Sequence, residues 1–246
     1  SSYIHLLLSN INLHAHPQQL SAPDPAPYTL IESAITWRRL PASRHRPAGT
    51  FETNPGDPGN RVTFEIAAPL ETIVGTTGGA VNGHFDFNPQ NVKASKSGMF
   101  VIDIASFETG IDLRDEHLRD NFLQASNFPT ATFTMNKVAK ASSKSVKAGE
   151  SVTLELEGTL DMHGVQHSEK VAATVTYMDD DMVTDSVLPG NVIAVNANLR
   201  VALADYQIER PEVLVLKVGE VVDIDVSLRM TDSPKTMNAC GCGGCG

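Results

Sequence analysis

Apolar and polar positions alternate along most of the chain from residue 61 onward, and the alternation has a period of two. The clearest run covers residues 152–160, where valine and leucine alternate with threonine and glutamate. Successive side chains of a strand point to opposite faces, so each run predicts a strand with one buried face. Eight such runs occur, and their first apolar residues are Val62, Val81, Phe100, Phe133, Val152, Val171, Ile193 and Val222.

The segments between these runs are short and rich in turn-forming residues, such as Gly78-Gly79 and Pro189-Gly190-Asn191. Short connections predict antiparallel neighbours, and an antiparallel sheet leaves its edges unpaired unless it closes or stacks. The alternatives are a closed barrel and a two-sheet sandwich. Small residues at inward positions favour a barrel with a cavity, because they leave space unfilled; these residues are Gly83, Gly158, Ala173 and Ala197. The predicted fold is therefore all-β, an eight-stranded antiparallel up-and-down barrel.

One segment, residues 112–125 (DLRDEHLRDNFLQA), departs from the strand pattern and predicts a helix. Asp112 is the predicted N-cap, and Leu113, Leu118 and Phe122 fall close to one face. That face could lie over a barrel mouth. A helix that merely covers hydrophobic surface is the alternative interpretation.

The two ends of the chain differ in composition from the middle. Residues 1–58 are rich in proline, which removes a backbone donor and breaks long helices and central strands, so a poorly ordered lead-in is predicted. The barrel domain is assigned to residues 59–231. Residues 232–246 form a predicted flexible tail that contains all three cysteines: Cys240, Cys242 and Cys245.

The cysteine tail supports an alternative function, a metal-binding or redox protein that uses the barrel as a scaffold. Thiolates bind soft metals and exchange disulfides. Three thiols are one short of a closed tetrahedral set, however, and the intervening glycines would leave such a site without order until the metal bound. A flexible appendage is the favoured interpretation.

Composition narrows the classes of partner. Hydrophobic residues make up 41% of the chain, which is enough for a core, and the formal net charge is −10. An acidic surface disfavours nucleic acid and anionic headgroups. No run reaches the roughly 18 apolar residues of a membrane helix. Residues 3–8 (YIHLLL) match a signal peptide's apolar region in kind, although such regions span about 7–15 residues.

Arg114, Asp115 and His117 place three polar side chains within one helical turn. A catalyst would use such a trio with the histidine as proton shuttle. No serine or cysteine nucleophile stands in a recognisable elbow, so a structural role is predicted instead. Asp115 would hold the helix start to the barrel, and Arg114 would satisfy loop carbonyls or a carboxylate. An enzyme that acts on a lipid through His117 is a third hypothesis, behind binding and metal chemistry.

His163 and His167 are four residues apart, a spacing that on a helix would place both imidazoles on one face. Gly164 and the flanking strand patterns predict a hairpin here, in which that spacing does not converge. A metal site would also need a third ligand, such as His84 or His117. No metal and no cofactor are predicted.

Three segments of the chain carry distinctive motifs. The first is a strand ending in Thr-Gly, an Arg-Asp-x-His-Leu helix, an aromatic residue, and a proline that leads into a strand. The second is the Gly-Thr-Leu-Asp-Met-His-Gly-Val hairpin of residues 158–165, and the third is the GHFDFNP segment of residues 83–89. The motif positions of the first are Thr109, Gly110, Arg114, Asp115, His117, Leu118, Phe122, Pro129 and Phe133. Together these segments resemble the YceI-like family.

The resemblance covers residues 61–230 and implies a lipocalin-like barrel of a bacterial protein, periplasmic or secreted. It implies a polyisoprenoid, fatty acid or related lipid in an elongated tunnel, with no catalysis; a homodimer is left open. The residues predicted to line the tunnel or its cap are Phe64, Phe85, Phe107, Phe122, Phe133, Leu156, Leu160, Val175 and Leu199. Structural roles are predicted for the Thr109–Leu118 motif residues named above, for Pro129, and for His163 and Gly164.

Overall fold

The computed structural model describes residues 48–54, 56–180, 188–209, 212–213 and 216–233. Strands dominate this part of the chain. They are β1 (Gly49–Thr53), β2 (Arg61–Ala67), β3 (Thr72–Gly78), β4 (Val81–Phe87), β5 (Gly98–Asp103), β6 (Thr130–Ala141), β7 (Ser151–Met162), β8 (Val165–Met178), β9 (Val192–Ala202), β10 (Glu212–Val213), β11 (Leu216–Lys217) and β12 (Val221–Thr231).

Within the described residues, eight strands close into an antiparallel barrel in the order β1-β4-β5-β6-β7-β8-β9-β12. Strands β4 to β9 follow one another up and down, and β1 pairs back to β12 through Glu52–Thr231 and Thr53–Met230. Closure satisfies the backbone groups that an open sheet would leave at its edges. The predicted barrel is therefore confirmed, and the sandwich alternative is wrong.

The β2–β3 hairpin extends the same sheet toward one end of the barrel. Strand β2 pairs with β12 from Ile66–Val222 to Arg61–Ser227, beyond the point where β1 leaves it. Strand β3 pairs with β2 and forms a single bridge to Glu108 through Thr76. The hairpin thus completes the wall at the end where the helix lies.

All eight strands predicted from the alternation are present. Two further strands of the same sheet, β1 and β3, were missed, and so were the two-residue strands β10 and β11 of a separate small sheet. Strand β3 escaped detection because Gly75 and three threonines dilute its apolar pattern. Strand β1 lies in the predicted lead-in, yet its Phe51 is buried in the core. The lead-in prediction is wrong for residues 49–53, because these residues pair with β4 and β12. Residues 1–47 and the cysteines of the tail lie outside the described residues.

The predicted helix is present but begins and ends differently. Residues Asp112–His117 form helix α1, and Leu118–Phe122 continue it as a π-helix, with the Leu123 N–H donating to the Leu118 carbonyl at 2.9 Å. Ile111, not Asp112, occupies the N-cap position, and no side chain caps it. Asp112 lies in the first turn, where a carboxylate is favoured by the helix dipole. None of the described helices is long and apolar enough to cross a bilayer.

The hairpin between β7 and β8 has a two-residue turn formed by His163 and Gly164, as the sequence predicted. Both residues have positive φ, 54° and 75°, which is the conformation that the right-handed twist of a hairpin favours. Short 3-10 segments complete the fold at Val92–Ala94, Ile104–Ser106 and Leu203–Tyr206.

One end of the barrel, which we call the closed end, is filled by its own side chains. Phe87, Ile193 and Met230 are fully buried there, with 0% exposure, and Phe51 packs edge-on against Phe87 at 6.2 Å between ring centroids. The inward side chains of β12 lead from this end to the other in the order Met230, Leu228, Val226, Ile224, Val222. Their burial decreases in the middle, where Val226 and Ile224 are only partly buried.

Candidate functional site

The middle of the barrel contains a cavity of about 120 Å³, here called the interior cavity. Its lining is entirely apolar. An apolar cavity of about 150 Å³ is large enough to hold a benzene molecule and stays dry without one. The lining residues include Val62, Phe64, Phe85, Phe100, Ile102, Phe107, Phe133, Met135, Leu156, Leu160, Val195, Ala197, Leu199, Ile224 and Val226.

A second and larger cavity, the mouth cavity, lies between helix α1 and the open end of the barrel. Its volume is about 520 Å³, within the range of roughly 300–1,000 Å³ that small-molecule sites occupy. It shares lining residues with the interior cavity, so the two spaces meet. The shared residues are Phe64, Ile104, Phe107, Met162 and Ile224.

The two cavities differ in polarity. The mouth cavity has an apolar floor, but Glu71, Arg114, His117 and Glu209 stand at its border. The interior cavity has no polar side chain in its lining. A hydrogen-bonding group in the interior would therefore lose its water partners and gain none, at a cost of about 2–7 kcal/mol. The arrangement can accommodate a hydrocarbon chain inside the barrel and a polar group at the mouth.

Three phenylalanines of the lining lie against a glycine on a neighbouring strand. Phe64 faces Gly75 and Phe100 faces Gly83 as direct cross-strand partners. The ring of Phe133 lies over Gly158, where an added Cβ would come within 2.5 Å of the ring.

The prediction that small inward residues leave empty space is therefore wrong for Gly83 and Gly158, because aromatic rings occupy that space. The position of these rings nevertheless leaves room for a ligand in the lumen. Each ring lies along the wall instead of crossing the barrel, which keeps the centre open.

The structure places most of the residues predicted to bind ligand on the two cavities. Phe122 borders the mouth cavity, and Val175 lies on neither. The lining prediction is wrong for Val175, which is fully buried in the core on the inward face of β8. The remaining seven line the interior cavity: Phe64, Phe85, Phe107, Phe133, Leu156, Leu160 and Leu199. Sequence reasoning missed Ile224 and Met162, although period-two alternation places Ile224 on the inward face.

The start of helix α1 is held to the preceding loop by a cluster of Thr109, Arg114 and Asp115. The buried Asp115 carboxylate accepts the Thr109 N–H at 2.8 Å and also the Thr109 hydroxyl. Arg114 donates from Nε to Thr109 Oγ1 at 2.8 Å and from Nη2 to the Thr109 carbonyl at 3.1 Å. Its Nη1 lies 3.3 Å from Glu71 of the β2–β3 turn. These contacts join the helix to the barrel wall.

The environment of Asp115 favours its charged form. Burial raises the pKa of this carboxyl group, but the two hydrogen bonds from Thr109 lower it, and the positive charges of Arg119 and Arg114 add to that lowering. The net effect is a pKa below the ordinary value. Asp115 is therefore a stable anion at neutral pH, which suits a structural acceptor better than a proton shuttle.

The other motif residues surround this cluster. His117 is exposed at the border of the mouth cavity, and Leu118 contributes to its floor. Gly110 has a φ of 81°, a conformation that other residues adopt only with strain. The Pro129 carbonyl accepts the Ile104 N–H at 2.9 Å, which ties the start of β6 to the end of β5.

A second polar cluster, around Tyr206, was not predicted. Strands β8 and β9 pair only from Ala172–Asn198 to Met178–Val192, so they separate toward the open end. Tyr206 is fully buried beside this gap, and its hydroxyl donates to Glu169 at 2.9 Å. Burial, followed by this hydrogen bond, raises the pKa of Tyr206. Tyr206 lies in a segment without periodic pattern, so the sequence carried no signal for it.

The two histidines of the metal hypothesis both contact Tyr206. The Nδ1–H of His163 donates to the Tyr206 carbonyl at 3.0 Å, and the His167 ring lies 5.1 Å from the Tyr206 ring. His163 also packs against Phe128, with 4.5 Å between ring centroids. Among the described residues, no three histidine, cysteine or acidic side chains are grouped as metal ligands would be.

Comparison with known proteins agrees with this architecture. A family model described as the YceI-like domain matches residues 57–230. The chain belongs to the YceI-like family, as its motifs predicted. It is 35% identical over 94 residues to a UPF0312 protein of Vibrio vulnificus, an alignment that covers 37% of this chain and 44% of that protein. It is 33% identical over 101 residues to protein YceI of Salmonella arizonae, covering 41% and 48%.

The chain thus spans about half the length of the curated relatives it matches. Two solved structures share its fold at 17% identity. BcnA of Burkholderia cenocepacia superposes with a TM-score of 0.54 over 69% of this chain and 95% of its own. A polyisoprenoid-binding domain from Saccharophagus degradans superposes with a TM-score of 0.51 over 75% and 98%. At this level of identity the likeness shows the fold alone.

Proposed function

We propose that the protein binds one long apolar molecule, a polyisoprenoid, a fatty acid or a related lipid, as a carrier or storage protein. The observation that carries the proposal is the interior cavity, which is lined only by apolar side chains and adjoins the mouth cavity through five shared lining residues. The hydrocarbon end would enter first. Family membership and the polyisoprenoid-binding structural neighbour support this ligand class. A periplasmic or secreted location would suit such a carrier and belongs to the same proposal.

Partial exposure of inward-facing apolar residues gives the proposal its energetic basis. Phe133, Leu199 and Ile224 face the lumen, yet they are only partly buried, because the cavity leaves part of their surface uncovered. A ligand chain would cover that surface. Each buried CH₂ group would contribute about 0.8 kcal/mol. An apolar lining of this kind suits binding of a ligand rather than its chemical conversion. Two members of the catalytic trio considered from the sequence, Arg114 and Asp115, form hydrogen bonds to Thr109, which suits a structural role for both.

The proposal is tested by blocking the junction of the two cavities. Ile224 lines both, so Ile224→Trp should obstruct entry to the interior. Asp225→Trp is the matched control, since it introduces the same side chain on the exposed outer face one residue away. Native mass spectrometry of the purified proteins should find co-purified lipid in wild type and in Asp225→Trp, and much less in Ile224→Trp.

A fluorescent fatty acid provides the second readout. Wild type and Asp225→Trp should bind it with equal affinity, while Ile224→Trp should bind it at least about tenfold more weakly, equivalent to about 1.4 kcal/mol. Circular dichroism and thermal unfolding establish that both variants fold. Wild-type protein that carries no lipid and takes up neither a fatty acid nor an isoprenoid would refute the proposal.

A further inference from the structure

The large apolar side chains that the fold exposes are concentrated around the cavity mouth. Leu70, Ile111 and Leu113 are 84%, 52% and 62% exposed, more than any other large hydrophobic side chain in the described part of the chain. We call these three residues the rim patch. Ile111 and Leu113 border the mouth cavity directly.

Leu70 lies at the same rim, because the next residue, Glu71, forms an ion pair with helix α1. Glu71 lines the mouth cavity and its carboxylate lies 3.3 Å from the Arg114 guanidinium, three residues after Ile111. The β2–β3 turn and the start of α1 are therefore adjacent. At the closed end, the large apolar residues Phe51, Phe87 and Met230 are buried. Large apolar side chains are thus exposed at the entrance of the mouth cavity and buried at the closed end.

We propose that the rim patch docks the mouth onto an electrically neutral lipid surface, so that ligand passes between membrane and cavity without crossing water. The inference rests on the proposed function, because continuity of the rim with an apolar cavity is what identifies the occupant as lipid. Apolar side chains that enter the headgroup boundary bind a bilayer in proportion to the area they bury. Three separate side chains of this size suit transient docking rather than permanent anchoring.

The charges near the rim specify the kind of surface. Glu71, Asp112, Glu116 and Glu209 place carboxylates on the segments around the mouth. Among the described residues that line the mouth cavity, Arg114 is the only lysine or arginine, and it is paired with Glu71. Peripheral proteins that prefer anionic membranes present clustered lysine and arginine instead. The rim should therefore dock on zwitterionic phosphatidylcholine better than on vesicles that also contain phosphatidylglycerol.

The test measures transfer of an anthroyloxy-labelled stearic acid from the full-length protein to phosphatidylcholine vesicles. If the protein docks, the rate of transfer rises with vesicle concentration. If the ligand escapes through water, the rate does not depend on vesicle concentration. The triple variant Leu70→Ser, Ile111→Ser, Leu113→Ser should transfer about tenfold more slowly or worse, since it loses three burying side chains. Leu70 lines neither cavity, so Leu70→Ser alone should also slow transfer while its affinity for the same probe in solution stays that of wild type.

Met99→Ser is the matched control, because Met99 is 40% exposed on the outer face of β5, away from the mouth. It should transfer the probe at the wild-type rate. Added phosphatidylglycerol should slow transfer by wild type. A rate that is independent of vesicle concentration, or a triple variant as fast as wild type, would overturn the proposal.

Vesicle flotation separates failure of docking from failure of the proposed function. Protein that binds no probe in solution but floats with phosphatidylcholine vesicles through the rim patch would refute the carrier function and keep the docking surface. Protein that binds the probe but neither floats nor transfers by collision would refute docking alone. Sedimentation velocity tests whether a second copy of the chain covers the rim patch instead. If wild type is a dimer that does not bind vesicles, and the triple variant is a monomer, the patch is a dimer interface and the proposal is overturned.

Discussion

The Asp115 carboxylate accepts the backbone N–H of Thr109 at 2.8 Å, six residues earlier in the chain, and thereby fixes the loop that enters helix α1. The same carboxylate also accepts the Thr109 hydroxyl. Because Arg114 binds Thr109 and Glu71 as well, this one relationship joins the helix to the β2–β3 turn. These contacts, here called the joint, hold the helix at the border of the mouth cavity.

Replacing Asp115 with alanine should therefore destabilise the fold. The substitution leaves the Thr109 N–H without its acceptor in a partly buried site, which costs about 1–3 kcal/mol. Asp112→Ala is the control, because Asp112 is exposed in the first turn of the same helix, where losing its interaction with the helix dipole should cost about 0.3–1 kcal/mol. Urea unfolding measures both values. Equal effects of the two substitutions would show that the joint contributes nothing.

The contribution of Asp115 should also depend on pH. Its pKa in the folded protein lies below the ordinary value, so its stabilisation is complete above the unfolded pKa of about 3.9 and declines as the pH falls further. The difference in unfolding free energy between wild type and Asp115→Asn should therefore be constant near neutrality and shrink below about pH 4. A difference that stays constant into this acidic range would contradict the assignment of a charged acceptor.

Two glycine substitutions should separate ligand binding from stability. In Gly75→Ala the new methyl group meets only the end of the Phe64 ring, which can swing into the lumen. Affinity for a fluorescent fatty acid should fall, while stability changes by less than about 1 kcal/mol.

In Gly158→Ala the methyl group lies 2.5 Å from the Thr134 carbonyl oxygen, a backbone atom that cannot move aside. This substitution should cost about 1–3 kcal/mol in stability. For the first substitution, an affinity of Gly75→Ala equal to that of wild type would show that the position of the Phe64 ring does not control the width of the lumen.

The hydrogen bond between Tyr206 and Glu169 should stabilise the part of the wall where β8 and β9 separate. Tyr206→Phe removes the donor and should cost about 0.5–1.5 kcal/mol. In a Glu169→Ala background the same substitution should cost distinctly less, because the acceptor is already absent. A double-mutant cycle by thermal unfolding measures the difference. Equal costs in both backgrounds would show that the hydroxyl does not depend on Glu169.

The barrel could be predicted because period-two alternation within each strand specifies which side chains face inward, and short turns between the strands specify antiparallel neighbours. Prediction failed where that pattern is interrupted, as in β3, whose Gly75 accommodates the Phe64 ring from the next strand. Val175 illustrates a second limit. Alternation places it on the inward face but cannot tell a filled closed end from an open lumen, because that depends on which rings meet across the barrel.

Motif residues were more informative than periodicity at the mouth, since the Thr109, Arg114 and Asp115 positions lie close together in the chain and in space. Tyr206 could not be found in this way. Its partners Glu169 and His163 are 37 and 43 residues away, and only the folded barrel brings them together.

The dependence of affinity on chain length tests the central claim most directly. Dissociation constants for saturated fatty acids of increasing length, measured by displacement of a fluorescent probe, should fall about fourfold for each added CH₂, which corresponds to about 0.8 kcal/mol. The fall should stop once the chain fills the interior cavity, and Ile224→Trp should reach that limit at a shorter chain. An affinity that does not change with chain length would contradict binding of a hydrocarbon chain inside the barrel.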